Sequence, residues 1–189
     1  MRYLDEVGMD VVHNRVGALT GWLLSQLTAL RHSNGAPLIR IYGPTTSIAR
    51  GGTVSFNVLT RDGQVIDYHL VEEAAANSNI SLRGGCFCNP GASEVALGLT
   101  PSMLQPVFER ARGAVFERTR QRHEWGMVRV SMGIATTPSD IDHLIQFLRI
   151  FTRDVDSCIN ASCVGADLLR GRSRDLGFHK SSGRMSPDT

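Results

Sequence analysis

Two cysteines one residue apart, Cys86 and Cys88, stand in the run Ser81-Leu-Arg-Gly-Gly-Cys-Phe-Cys-Asn-Pro-Gly-Ala92. Asn89-Pro90 behind them reads as a helix start, with Asn89 as N-cap and Pro90 in the first turn. Cys88 then falls at or just before a helix N-terminus, where unpaired amides and partial positive charge favour thiolate over thiol. Arg83 adds positive charge nearby. This arrangement suits a nucleophilic sulfur presented on a loop; a small buried cysteine without a role is the plain alternative. Cys86 is either a second thiol, able to resolve an oxidised or persulfidic partner, or packing. A Cys-x-Cys pair can also seed a metal site, but His69 and His123 are the only further ligands in view and their spacings match no ligand set, so no metal is expected. His13, His32 and His143 read as ordinary helix-surface residues.

A second kind of chemistry comes from arginine. Arg129 alternates with Val128 and Val130, and Arg83 follows Leu82, so both point away from the apolar side of a sheet. Two arginines leaving one sheet on its polar side can grip a carboxylate through paired hydrogen bonds. Two solvated surface arginines are the alternative.

The elements that must place these groups follow from periodicity. Val12, Val16, Leu19, Leu23, Leu27 and Leu30 keep helical spacing and predict a long amphipathic helix from about Met9 to Arg31, ended by Asn34-Gly35 and Pro37. Strands follow at Leu38–Tyr42 and Thr53–Leu59. After the turn Arg61-Asp62-Gly63, Gln64–His69 is expected to pair back as a hairpin. Leu70–Asn77 reads as a short helix, and Ile80–Leu82 as the strand that feeds the cysteine loop. Gly51-Gly52 reads as a turn before a strand. A helix carrying Leu104, Val107, Phe108, Ala111 and Val115 follows Thr100-Pro101, with Pro106 as a kink or its true start. Met127–Met132 is a further strand. Thr137-Pro138-Ser139-Asp140 opens a last helix whose buried face is Ile141, Leu144, Ile145, Leu148 and Phe151. No period persists from about Cys158, and the remainder, rich in Gly, Ser, Arg and Asp, is expected to be disordered. These elements make a sheet of three or four strands packed with helices, an α/β or α+β domain.

Bulk properties exclude several classes. A net charge of +2 over 189 residues is too small to argue for nucleic acid or an anionic membrane. No apolar run approaches the ~20 residues needed to cross a bilayer, and no secretory leader opens the sequence; the expected location is the cytoplasm. Cys86 and Cys88 are too close to bridge comfortably, and Cys158 and Cys163 sit in the polar tail, so free thiols in a reducing compartment are expected.

The run Arg83–Ala92, together with Arg50-Gly-Gly-Thr-Val-Ser-Phe-Asn57 and Val128-Arg-Val-Ser-Met-Gly133, resembles the class V aminotransferase-fold enzymes, nearest the cysteine desulfurases and the sulfurase domain of molybdenum-cofactor sulfurases. The resemblance extends from about Gly8 to Asp154 and covers only the family's C-terminal part. It implies the small domain of the fold type I enzymes that use pyridoxal phosphate (PLP). The chain then divides into a linker helix over 1–34, the small domain over 35–154 and a polar tail over 155–189. It implies that Cys88 carries substrate sulfur as a persulfide, that Arg129 binds the substrate α-carboxylate and that Arg83 lies in the active site. An amino-acid substrate such as cysteine, a homodimer at full length and a large PLP-binding domain as partner are implied as well.

One count bears on all of this. PLP enzymes hold the cofactor on a lysine, in this family upstream of the cysteine loop, and the only lysine here is Lys180. No cofactor is therefore expected on this chain alone. The leading expectation is part of a longer PLP enzyme, inactive by itself. A subunit of a split enzyme and a non-catalytic thiol-carrier or protein-binding module are the alternatives. The apolar stripe Val12–Leu30 is expected to lack a partner and to promote association.

Overall fold

The computed structural model describes residues 2–85, 89–105 and 126–152. Helix α1 (Arg2–Val7) meets α2 (Met9–Ala29) at Gly8, whose φ of 83° breaks the helical path between them. Strands β1 (Ile39–Tyr42) and β2 (Thr53–Val58) follow, then α3 (Tyr68–Asn77), β3 (Arg83–Gly85), α4 (Pro90–Leu97), β4 (Met127–Ser131), α5 (Pro138–Leu148) and a 3₁₀ turn at Arg149–Thr152. The four strands form one antiparallel sheet in the order β1-β2-β4-β3.

Alternation along the strands decides which face is the core. Val54, Phe56, Val58, Val128 and Val130 are buried on one side, joined by Leu19, Leu23, Leu24 and Leu27 of α2, by Val71, Ala74 and Ala75 of α3, and by Ile141, Leu144, Ile145, Leu148 and Phe151. Burying each large aliphatic side chain of this set contributes about 1.5–3 kcal/mol. The stripe on α2 is thus largely consumed inside the chain. Its first two residues, Val12 and Val16, are half-buried, and the neighbouring Met9 and Val11 are exposed. That corrects the expectation that the whole stripe lacks a partner.

Several local expectations change. The segment Gln64–His69 pairs back only over its first half: the Thr60 amide donates to the Gln64 carbonyl (2.8 Å), Leu59 bridges Val65, and the Ile66 amide donates to the Val58 carbonyl (2.9 Å). Asp67 then caps α3 by accepting from the His69 amide (2.9 Å), so Tyr68 and His69 become helical. The strand expected at Ile80–Leu82 lies three residues later, at Arg83–Gly85. Its glycines, read as loop, pair with Val128 and Met127. His32 is buried, not a helix-surface residue: α2 ends at Ala29, and the His32 ring contacts the Leu59 carbonyl through Nε2 at 3.0 Å. Gly52 is more than a turn residue. A Cβ there would lie 2.5 Å from Val16 Cγ1 and 2.7 Å from the Met132 carbonyl oxygen, so its bareness lets α2 and the end of β4 close on the start of β2. Among the described residues, no helix is long and apolar enough to cross a membrane.

Candidate functional site

The face of the sheet turned away from that core is polar, and register orders its residues. Tyr42 pairs with Ser55, Ser55 with Arg129, and Arg129 with Arg83. These four residues form one row across all four strands. At about 4.8 Å between neighbouring strands the row spans roughly 14 Å. Register partners share a face, so Arg83 and Arg129 leave the sheet side by side. Val128 and Val130 are buried, while Arg129 is half-buried and Arg83 exposed. No Asp or Glu stands on any of the four strands.

Ser55 is fixed in the sheet interior between β1 and β4. The Tyr42 phenol is half-buried; burial pushes its pKa up, while a hydrogen bond and the positive charge of Arg40 pull the other way. Asn57, on the same face as Ser55 and almost wholly buried, donates its Nδ2 to the Gly126 carbonyl at 3.0 Å, and its Oδ1 has no hydrogen-bond partner. This contact ties β2 to the residue that enters β4.

Two further arginines shape the frame: Arg50, which opens one of the motifs quoted above without a role assigned to it, and Arg15, which no sequence signal marks. Arg50 donates to the carbonyl of Pro44 and to that of Thr53 (2.7 Å), and so closes the loop between β1 and β2. Arg15 reaches from α2 to the turn after β4, donating through Nε to the Ile134 carbonyl (3.0 Å) and through Nη2 to the Thr136 carbonyl (2.8 Å). Helical spacing alone marks Arg15 as surface, since its partners lie about 120 residues away.

At its end, β3 runs directly into residues 86–88. Cys86 and Cys88 lie outside the described residues, as do Cys158, Cys163, Lys180 and His123. The helix expected after Thr100 is described only over 101–105. The residues on either side of the cysteines are in place. Asn89 caps α4, its Oδ1 accepting from the Ala92 amide at 3.2 Å, and Pro90 stands in the first turn. Gly98, in the left-handed region at φ 68°, closes that helix. Among the described residues no group of three or more His, Cys, Asp or Glu is placed to hold a metal ion.

Comparison with known proteins supplies the context for this geometry. The family model for aminotransferase class V matches residues 1–144. Curated relatives include molybdenum cofactor sulfurases of Drosophila melanogaster, 38% identical over 75% of this chain, and of Drosophila erecta, 37% identical over 75%. A molybdenum cofactor sulfurase of Drosophila pseudoobscura pseudoobscura is 35% identical over 79% of the chain. In each case the matched region is 19% of the relative, so the chain spans about a fifth of the length of these proteins.

Proposed function

We propose, on the footing that this chain belongs to the class V aminotransferase family, that it supplies the small-domain side of a PLP-dependent sulfur-transfer site. In this reading Arg129, with Arg83 beside it, takes the carboxylate of an amino-acid substrate such as cysteine. Cys88, with Cys86 as the alternative, takes the sulfur. The observation that carries the reading is the direct pairing of Arg83 with Arg129 on the strand that leads into the cysteine loop. Two guanidinium groups side by side offer a carboxylate more hydrogen-bond donors than its two oxygens can use, in the planar geometry that suits it. Cys88 immediately precedes the Asn89 cap of α4 in sequence, and a cysteine next to a helix N-terminus is favoured as the thiolate.

The family is PLP-dependent, but the described residues do not fit that cofactor. Its aldehyde is held on a lysine, and no lysine stands among them. The cofactor and its lysine belong, in this proposal, to a large domain on other residues or another polypeptide. The part of the chemistry carried here is substrate orientation and acceptance of sulfur. The molybdenum cofactor sulfurase relatives favour a sulfur-transfer role over transamination.

The test is a titration of the full chain, labelled at the arginine side-chain nitrogens, with L-alanine, an amino acid without a thiol. Two Nε signals should move together and should be assigned to Arg83 and Arg129 by Arg83→Gln and Arg129→Gln. If neither signal responds at any accessible concentration, the arginine pair is not a carboxylate grip.

A further inference from the structure

We propose that Tyr68 is the positioning residue of the arginine pair, holding β3 against β4 from the back of the sheet; the functional part of this inference rests on the carboxylate-binding reading above. Two glycines make room for its ring. A Cβ on Gly84, the residue after Arg83, would lie 2.4 Å from Tyr68 Cδ2, and one on Gly126, the residue before β4, would lie 2.2 Å from Tyr68 Cε1. Real Cβ atoms do not approach so closely, so the ring occupies a notch that exists only because both positions are bare. Gly84 sits in β3 and Gly126 at the start of β4, so one aromatic side chain spans both strands.

The strand pair needs such a clasp. Among the described residues β3 is an edge strand of three residues, joined to β4 by three register pairs. One of those pairs sets Arg83 against Arg129, and like charges directly opposite one another push strands apart. The ring lies on the far face, where Gly84 and Val128 point, and does not compete with the arginines for ligand. Gly126 is gripped from its other side as well, through its carbonyl and the Asn57 amide at 3.0 Å. Tyr68 itself is anchored at the first turn of α3, next to the Asp67 cap, and its helix buries Val71, Ala74 and Ala75 in the core. The helix thereby transmits a fixed position to β3, and β3 to the spacing of the two guanidinium groups.

The experiment compares Tyr68→Ala, Tyr68→Leu, Tyr68→Phe and Val71→Ala in the full chain. L-Alanine affinity is read from the arginine Nε signals, and hydrogen exchange from the amides of residues 83–85. Val71→Ala, buried on the same helix but outside the notch, controls for loss of stability. A hydrogen bond to a charged group contributes about 1.5–3 kcal/mol, roughly tenfold or more in affinity; Tyr68→Ala and Tyr68→Leu, which let one guanidinium move out of register, should therefore weaken L-alanine binding roughly tenfold or more. Tyr68→Phe should restore it, and Val71→Ala should leave it unchanged. Exchange at 83–85 should quicken in Tyr68→Ala and Tyr68→Leu beyond the Val71→Ala control. Unchanged affinity in folded Tyr68→Leu, or exchange no faster than in the control, overturns the positioning role. If the parent chain fails to bind L-alanine while exchange still quickens as described, the clasp stands and the carboxylate reading falls.

Discussion

Arg83 lies directly opposite Arg129 in the β3–β4 pairing, and the strands around them carry no acidic residue. Directly opposed like charges cost a sheet something in the range of about 0.2–1 kcal/mol, and this cost falls on an edge strand.

The charge pairing has a measurable consequence. Arg83→Gln should raise the thermal midpoint, or the denaturation free energy by about 0.5 kcal/mol, at low ionic strength. The gain should shrink as salt screens the repulsion. The same variant should lose affinity for L-alanine. Denaturation curves at low and high salt, set beside the carboxylate titration, check both halves. A loss of stability at low salt would mean that the two charges do not repel in the folded protein.

Thiol reactivity distinguishes Cys88 from the other cysteines. With Asn89 capping α4 through the Ala92 amide, the thiolate at Cys88 should form at lower pH than at Cys86, Cys158 or Cys163. Alkylation followed by mass spectrometry across pH should show Cys88 reacting first near neutrality. Asn89→Ala, which loosens the first turn, should slow it. Faster labelling of Cys86 would move the sulfur-accepting role to that residue.

The N-terminus of α5 should make stability fall in acid. The Asp140 carboxylate accepts from the Thr137 amide at 2.8 Å and from the Thr137 hydroxyl at 2.9 Å. These bonds, with a smaller contribution from His143, hold the Asp140 pKa below its usual value. A carboxyl depressed on folding contributes stability that is complete above its unfolded pKa, about 3.9, and is lost as pH falls through the lower folded value. Thermal midpoints measured between pH 2 and 7 should therefore drop less steeply for Asp140→Asn than for the parent chain. Thr137→Ala should cost about 1 kcal/mol at neutral pH by removing the cap. Parallel pH profiles for the Asn variant and the parent would show that the bond does not persist in solution.

The elements with strong local signals were legible from residue order. The period of Leu19, Leu23 and Leu27, the Asn89-Pro90 start and the Thr137–Asp140 box all act within a few residues, and each appears where its chemistry places it. So does the alternation of Val128, Arg129 and Val130, which turns Arg129 to the polar face. The helix start at Asp67 is hidden in the sequence because the adjacent β-branched pair Val65-Ile66 after a turn favours a strand, while a side-chain cap two residues from its amide partner decides otherwise. The shift of β3 onto Arg83–Gly85 has a different cause. Glycine has low strand propensity by itself, and only a paired strand on one side with an aromatic ring on the other makes two glycines the fitting residues there.

Residue types and short spacings thus determined the helices, the core stripe and the polar direction of Arg129. Tertiary structure decided what stands beside what. Register set Arg83 against Arg129, with Ser55 and Tyr42 continuing the row. Folding also brought Arg15 to the turn after β4, buried His32 against Leu59, and laid Tyr68 on Gly84 and Gly126. These contacts join segments separated by tens of residues or more. Their partners are selected by strand pairing and by the volume left between packed layers, and neither quantity is present in a local stretch of sequence.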